Sequence, residues 1–302
     1  MDAVIDEADV VFVAVTGFAG LKAVLKAIEL KRTVALANKE ALVCGGEIVM
    51  QRAKENGVEI VPVDSEHSAL WQALGCRRQG YKRLILTASG GPFRCANLCE
   101  MRHFTAKDAL KHPNWSMGAK ITVDCATMLN KGFEVIEAHH LFGAPIDKID
   151  VVVHPQSIIH SMVEFEDNSV LAEMSVPNMA QPIQFALTYP EKLKSSLESI
   201  DFVKLGRLEF FPLDREKFPC FDIAVNSLRK GGNFPCAMNA ASEVAVQAFL
   251  KDEIAFTDIA CVISSVLDSF EWLPASYTNL VKTDALARAG AQEAIKEILG
   301  SK

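Results

Sequence analysis

The chain has 302 residues, 50% of them hydrophobic and 23% charged, which excludes global disorder and gives length enough for two or three domains. With 38 acidic against 31 basic residues the formal net charge is -7, which excludes the sequence-wide basic footprint of a nucleic-acid binder. The longest apolar strand-like run near the start, Val10 to Val15, falls far short of the roughly 20 residues of a membrane span.

In chain order, Val10 to Val15 predicts a strand, about Gly20 to Leu30 a helix and Thr33 to Ala37 a second strand. A longer helix from about Glu40 to Asn56 and a strand from Val58 to Val63 complete the series. Near-continuous apolar strands joined by helices are the pattern of a parallel sheet covered on both faces. Ligands of such sheets sit beyond the carboxyl ends of the strands, the place of TGFAG (16–20), ANKEA (37–41) and VDSEH (63–67).

Leu84 to Thr87 then predicts a strand running into ASGGP, and Ile121 to Val123 another running into a helix that begins near Ala126. Val151 to Val153 is a third, and Ile158 to Phe165 with Ser169 to Ser175 alternate around Glu166-Asp167-Asn168 as a hairpin. Pro190, Gly206, Pro212 and Pro219 punctuate a stretch without sustained periodicity, the mark of a linker. Helices are predicted over Phe221 to Lys230, Ala240 to Leu250, Thr257 to Phe270 and Thr283 to Leu299. Eight scattered cysteines form neither a zinc ribbon nor a disulfide framework, and no signal-peptide pattern opens the chain, so reduced thiols in a cytosolic protein are expected.

Asp64 and Glu66, two apart after a buried strand, point to one side of an extended segment and so converge on a hard divalent cation. Glu134, which shares a helix face with Glu137, offers a third carboxylate, and an oxygen-rich set suits magnesium or manganese better than zinc. Asp64 or Ser65 would equally cap a helix over Ser68 to Leu74.

ASGGP (88–92) joins the approachable backbone of Gly90 and Gly91 to the Ser89 hydroxyl, a combination suited to phosphate. HPNWSMG (112–118) has the make-up of a lid over a sugar, or of an ordinary surface loop around Trp115. DCATMLNKGFEVIEAHH (124–140) opens at a helix N-terminus, where unpaired amides favour an anion. Asn130 and Lys131 would follow one to two turns along it, with Glu134 one turn further; a solvated charged helix face is the plainer alternative. His154 and His160 flank a strand start, where an isolated histidine is more often structural than functional. Asn38, Lys39 and Glu40 at a strand end also read as a helix start.

Taken in order, NKEALV, PVDSEHSALWQAL, LTASGGPFR, HPNWSMGAKITVDCATMLNKGFEVIEA, HPQSIIHSMVEF and NAASEVAVQAF resemble the 1-deoxy-D-xylulose 5-phosphate reductoisomerase family over nearly the whole chain. The resemblance implies an α/β fold: an incomplete doubly wound, Rossmann-like NADPH-binding domain at 1–63 and an α+β catalytic domain at 64–188. A linker at 189–214 and a C-terminal all-α helical domain at 215–302 would follow. It implies an α-ketol rearrangement of 1-deoxy-D-xylulose 5-phosphate and then reduction by NADPH to 2-C-methyl-D-erythritol 4-phosphate, in non-mevalonate isoprenoid biosynthesis.

Carried onto matching positions, the resemblance makes Asp64, Glu66 and Glu134 ligands of Mg2+, Mn2+ or Co2+, and Lys39, Glu66 and His160 catalytic. Ser65, Ser89, His112, Trp115, Cys125, Asn130, Lys131 and Glu134 would bind substrate, with Trp115 and Met117 on a closing loop. Gly17, Gly20, Asn38, Lys39, Glu40, Met117 and Gly118 would face the cofactor. A homodimer in the bacterial cytoplasm or plastid stroma is implied, without nucleic-acid or membrane partners. Two departures stand out. Cys125 occupies the place of a serine, and only GxxG at 17–20 stands where the family has a GSTGSIG-like loop, so roughly two βα units are expected to be missing. A fragment that binds metal and sugar phosphate but not cofactor is the alternative expectation, and an unrelated two-domain dehydrogenase or sugar-phosphate isomerase is a third.

Overall fold

The computed structural model describes residues 7–76, 80–111, 114–115 and 117–300, so His112 lies outside the described residues. It opens with β1 (Val10–Val13), α1 (Ala19–Glu29), β2 (Thr33–Leu36), α2 (Lys39–Asn56) and β3 (Ile60–Pro62). The three strands form one parallel sheet in the order β1-β2-β3, with Val10 opposite Thr33 and Val34 opposite Ile60. The central strand buries Val34, Ala35 and Leu36, as a strand covered on both faces must. β1 stops at Val13, two residues short of expectation, where its carbonyl accepts the Ala37 and Asn38 amides, both at 3.0 Å; β3 is shorter mainly at its start, losing Val58 and Glu59, while the Val63 amide still donates to the Leu36 carbonyl at 3.0 Å.

Helix α3 (Ser65–Ala73) starts three residues before the expected Ser68, with Asp64 as its N-cap. After β4 (Arg83–Ala88) come the short helices α4 (Leu98–Met101) and α5 (Ala106–Ala109), then α6 (Ala119–Ala126) and α7 (Leu129–Phe142). The expected strand at Ile121 to Val123 is therefore wrong: those residues lie inside α6. Local helical bonding outweighs the β-branched run, since Thr122 Oγ1 donates to the Gly118 carbonyl at 2.8 Å and Lys120 pairs with Asp124 one turn on at 2.5 Å. Met128, at φ 61, breaks the chain between α6 and α7.

The second sheet has the order β7-β6-β4-β5-β8, built from β4, β5 (Ile149–Val153), β6 (Ile159–Glu164), β7 (Val170–Met174) and β8 (Phe211–Pro212). β4 and β5 are parallel and every other pair is antiparallel, giving the α+β layer. The β6–β7 hairpin turns at Asn168 (φ 65), where the Ser169 amide donates to Asp167 Oδ1 at 2.9 Å. Helices α8 (Ala180–Thr188) and α9 (Phe202–Leu205) follow β7. β8, inside the stretch expected to be featureless, is a two-residue strand ending in proline, too short to leave a periodic signal.

The chain ends in α10 (Pro219–Lys230), α11 (Phe234–Leu250), α12 (Asp258–Asp268) and α13 (Tyr277–Gly300). α11 buries residues all round, Phe234, Ala237, Ala241, Ala245 and Phe249 among them, so it forms the axis of this helical cluster. α11 and α13 both begin about six residues ahead of expectation. In α11, Pro235 sits in the first helical turn, where a missing N–H costs nothing, so the helix starts ahead of it at Phe234. Two compact units emerge: one of residues 1–41, 49–89 and 137–213, holding both sheets, and one of residues 42–48, 90–136 and 214–302.

Candidate active site

Asp64 is the centre of the first unit's polar cluster. As N-cap of α3 it accepts the Ser65 amide on Oδ1 at 3.2 Å, and its Oδ2 faces Lys39 Nζ at 2.9 Å and His67 Nδ1 at 3.4 Å. Lys39 opens α2 and is 8% exposed; His67 is fully buried. Burial alone would push the Asp64 carboxyl up, but Lys39 and then His67 outweigh it and hold the group well below the usual carboxylate range. It is therefore ionised throughout the physiological range. Glu66 lies in the first helical turn and accepts the Ser65 hydroxyl on Oε2 at 2.5 Å. The neighbourhood of Asp64 and Glu66 is thus the start of a helix and not the alternation of an extended segment.

His67 Nδ1 also lies 3.6 Å from Glu137 Oε2, and one donor atom each from Asp64, His67 and Glu137 falls within a 4.8 Å cluster. Glu137 sits on α7, one turn after Glu134. Glu134 is itself buried and held by its own helix: Asn130 Nδ2 donates to Oε1 at 2.7 Å, and Lys131 pairs with Oε2. Asn130 and Lys131 are therefore in the first turn of α7, not one to two turns into a helix begun at Ala126, because Met128 restarts the count.

Asn38 ties the loops after β1 and β2 together. Its Nδ2 donates to the Gly17 carbonyl at 3.1 Å and to Glu40 Oε2 at 2.8 Å, while its Oδ1 accepts the Ala41 amide at 2.8 Å. A Cβ on Gly20 would stand 2.4 Å from Asn38 Oδ1, so a larger residue there would have to push the Asn38 side chain out of its hydrogen bonds. Gly91 is more constrained: φ is +67 and a Cβ would lie 2.8 Å from the Cys125 carbonyl at the end of α6. Ser89, directly after β4, and Cys125 are both half-buried.

His160 is buried on β6, where the pairing register shifts between Ile159 and Ser161, and its Nε2 lies 3.2 Å from the Ser175 carbonyl. His154 proves structural: its Nδ1 donates to the Glu209 carbonyl at 2.9 Å and its Nε2 accepts the Ile158 amide at 3.2 Å, which fixes a neutral tautomer. Trp115 and Met117 are half-exposed, and Gly118 is the N-cap of α6.

Comparison with known proteins gives the arrangement its context. Residues 60–142 match the description "1-deoxy-D-xylulose 5-phosphate reductoisomerase C-terminal domain", residues 174–290 "DXP reductoisomerase C-terminal domain" and residues 2–46 "1-deoxy-D-xylulose 5-phosphate reductoisomerase". The enzyme of that name from Methylobacillus flagellatus is 50% identical over 294 residues, covering 95% of this chain and 75% of the relative. The chain belongs to the 1-deoxy-D-xylulose 5-phosphate reductoisomerase family.

A reductoisomerase from Chlorobaculum tepidum is 48% identical, over 97% of this chain and 77% of its own length. Among solved structures, the Zymomonas mobilis reductoisomerase in complex with NADPH superposes with a TM-score of 0.91 at 43% identity, over 97% of this chain and 78% of that one. A DOX-P reductoisomerase in complex with NADPH, fosmidomycin and magnesium gives 0.93 at 39% identity, over 98% and 78%. Within this reductoisomerase fold, the contacts bring Lys39 to Asp64, Ser65 to Glu66, Asn38 to Gly17 and Glu40, and Asn130 with Lys131 to Glu134. Sequence reasoning assigned no role to His67 or Glu137; the signal was there in the three-residue steps from Asp64 to His67 and from Glu134 to Glu137.

Proposed function

We propose that this chain performs the reaction of its family, rearranging 1-deoxy-D-xylulose 5-phosphate and reducing the product with NADPH to 2-C-methyl-D-erythritol 4-phosphate. The observation that carries this reading is the ionised Asp64 gripped by Lys39 at 2.9 Å, at the head of a helix that also presents Glu66. The donor set that the family resemblance assigns, Asp64, Glu66 and Glu134, is all carboxylate, the chemistry that fits a hard divalent cation such as magnesium or manganese. The cation, when bound, polarises ketone and hydroxyl oxygens as a Lewis acid.

The chain's own residues do the rest. Lys39 places positive charge where an oxyanion develops, and Ser65 donates a hydroxyl beside it. The family's pattern assigns phosphate binding to Ser89, His112, Cys125, Asn130 and Lys131, a water-excluding loop to Trp115 and Met117, and a substrate contact to His160. It assigns Gly17, Gly20, Asn38, Lys39, Glu40, Met117 and Gly118 to the nicotinamide cofactor; the loops after β1 and β2, cross-linked by Asn38, occupy the strand-end position where parallel sheets bind dinucleotides. In this reading residues 1–63 serve the cofactor, 64–188 the chemistry, 189–214 link and 215–302 form a helical support. Self-association into a homodimer is supported by the open edge strand β7, which exposes Val170 and Leu171.

Among the described residues no helix is long and apolar enough to cross a membrane. The test is NADPH consumption by the purified chain with 1-deoxy-D-xylulose 5-phosphate and magnesium or manganese. Oxidation that requires both the sugar phosphate and the cation supports the reading; consumption independent of either refutes it.

A further inference from the structure

The NAASEVAVQAF motif (239–249) has no part in the roles above, yet one of its side chains meets the helix that carries Cys125. Helix α6 is only eight residues long and its N-cap, Gly118, offers no side chain, so neither length nor capping holds it in place. Lys120 does. Its Nζ pairs with Asp124 Oδ2 at 2.5 Å one turn on, donates to Ser242 Oγ on α11 at 3.3 Å and lies 5.1 Å from the centre of the Phe133 ring on α7, all within the second compact unit. The Ser242 hydroxyl directs its hydrogen to the Asn239 carbonyl at 2.8 Å, which leaves a lone pair to accept from Lys120. Asp124, Phe133 and Ser242 are all buried, so the ammonium is held by groups fixed in the interior.

Cys125 follows Asp124 in the last turn of α6, while α7 opens with Asn130 and Lys131, the latter two residues before Phe133. Met128 breaks the chain between the two helices at φ 61, so helical continuity does not set one against the other. A single cation that touches both does. We propose that Lys120 is a positioning residue: held by Asp124, Ser242 and Phe133, it sets Cys125 on α6 against Asn130 and Lys131 on α7 and so shapes the site for the sugar phosphate. The inference rests on the reading of those three residues as phosphate-binding.

Steady-state kinetics of the full chain with 1-deoxy-D-xylulose 5-phosphate, NADPH and magnesium test it, together with calorimetric titration of the sugar phosphate. Lys120 and Asp124 are removed as a pair, Lys120→Met with Asp124→Asn, since either change alone leaves a charge unpaired in the interior. The double variant should raise KM and Kd for the sugar phosphate about 10-fold, as when one charge-assisted hydrogen bond is misplaced, with kcat and the KM for NADPH little changed. An unchanged KM for the sugar phosphate overturns the proposal, and so does a loss spread equally over both KM values and kcat, the mark of a merely structural role. Should the double variant fail to fold, Ser242→Ala, which cuts only the tie to α11, should raise the same KM about 3-fold, and no rise there overturns the proposal. Cys125→Ser separates the two readings: if it changes the KM for the sugar phosphate while the double variant does not, the positioning role fails and the phosphate site stands. If neither changes it, the assignment of residue 125 to the phosphate site fails and the positioning role with it.

Discussion

Asp64 shows how a single side chain can serve structure and chemistry together: one oxygen caps α3 while the other meets Lys39 and His67. Because its folded pKa is depressed, the stabilisation exists above the unfolded value of about 4 and is lost as pH falls through the folded one. Urea unfolding between neutral pH and pH ~3 should therefore show the advantage of wild type over Asp64→Asn shrinking only below about pH 4. A constant advantage across that range would contradict the ion-pair account. Cys125 makes a second prediction at this scale. A thiol is a weaker hydrogen-bond donor than a hydroxyl, so Cys125→Ser should lower KM for the sugar phosphate a few-fold at similar kcat, whereas an unchanged KM removes residue 125 from the phosphate site. Asp64, Glu66 and Glu134 were legible as carboxylates at suggestive spacings. Their partners were less so, because the contact of Lys39 with Asp64 spans 25 positions and no local rule signals it.

At the scale of elements, hydrophobic periodicity located the parallel strands, the hairpin and the helices of the C-terminal cluster, while ends and one identity went astray. Ile121-Thr122-Val123 read as a strand because β-branched residues favour one, yet Gly118 caps a helix there and the Lys120–Asp124 pair supports it. α3 likewise began earlier than its apolar stripe because Asp64 takes the cap. Turn chemistry was better marked. The glycines of ASGGP do adopt positive φ, and Gly91 packs against the carbonyl of Cys125 so closely that no side chain fits. Gly91→Ala should destabilise the chain by about 1–3 kcal/mol, since it combines a strained backbone with a clash against main chain. Gly57→Ala, also at positive φ but with open space around it, should cost less. Equal losses in denaturant melts of the two variants would show that the clash at position 91 is relieved by a shift of the loop.

For the molecule as a whole, motif order carried more information than any single motif. Each of the short signals had a plain structural explanation, and for His154 that explanation proved right. Their sequence along the chain, however, pointed to one family, to which the chain belongs at 50% identity to a relative over 95% of its length. What order cannot convey is how distant side chains meet. The buried grip of Lys39 on Asp64, the Asn38 tie between loops and the His67–Glu137 contact all join elements far apart in sequence. Metal removal and return tests whether the ionised carboxylates around Asp64 make turnover depend on a cation. NADPH oxidation with 1-deoxy-D-xylulose 5-phosphate is measured after chelation and again after adding magnesium or manganese, for wild type and Asp64→Asn. The account predicts that chelation abolishes the wild-type rate, that the cation restores it, and that Asp64→Asn remains at least about 100-fold slower at saturating cation. Turnover that survives chelation, or an Asp64→Asn variant as fast as wild type, would contradict it.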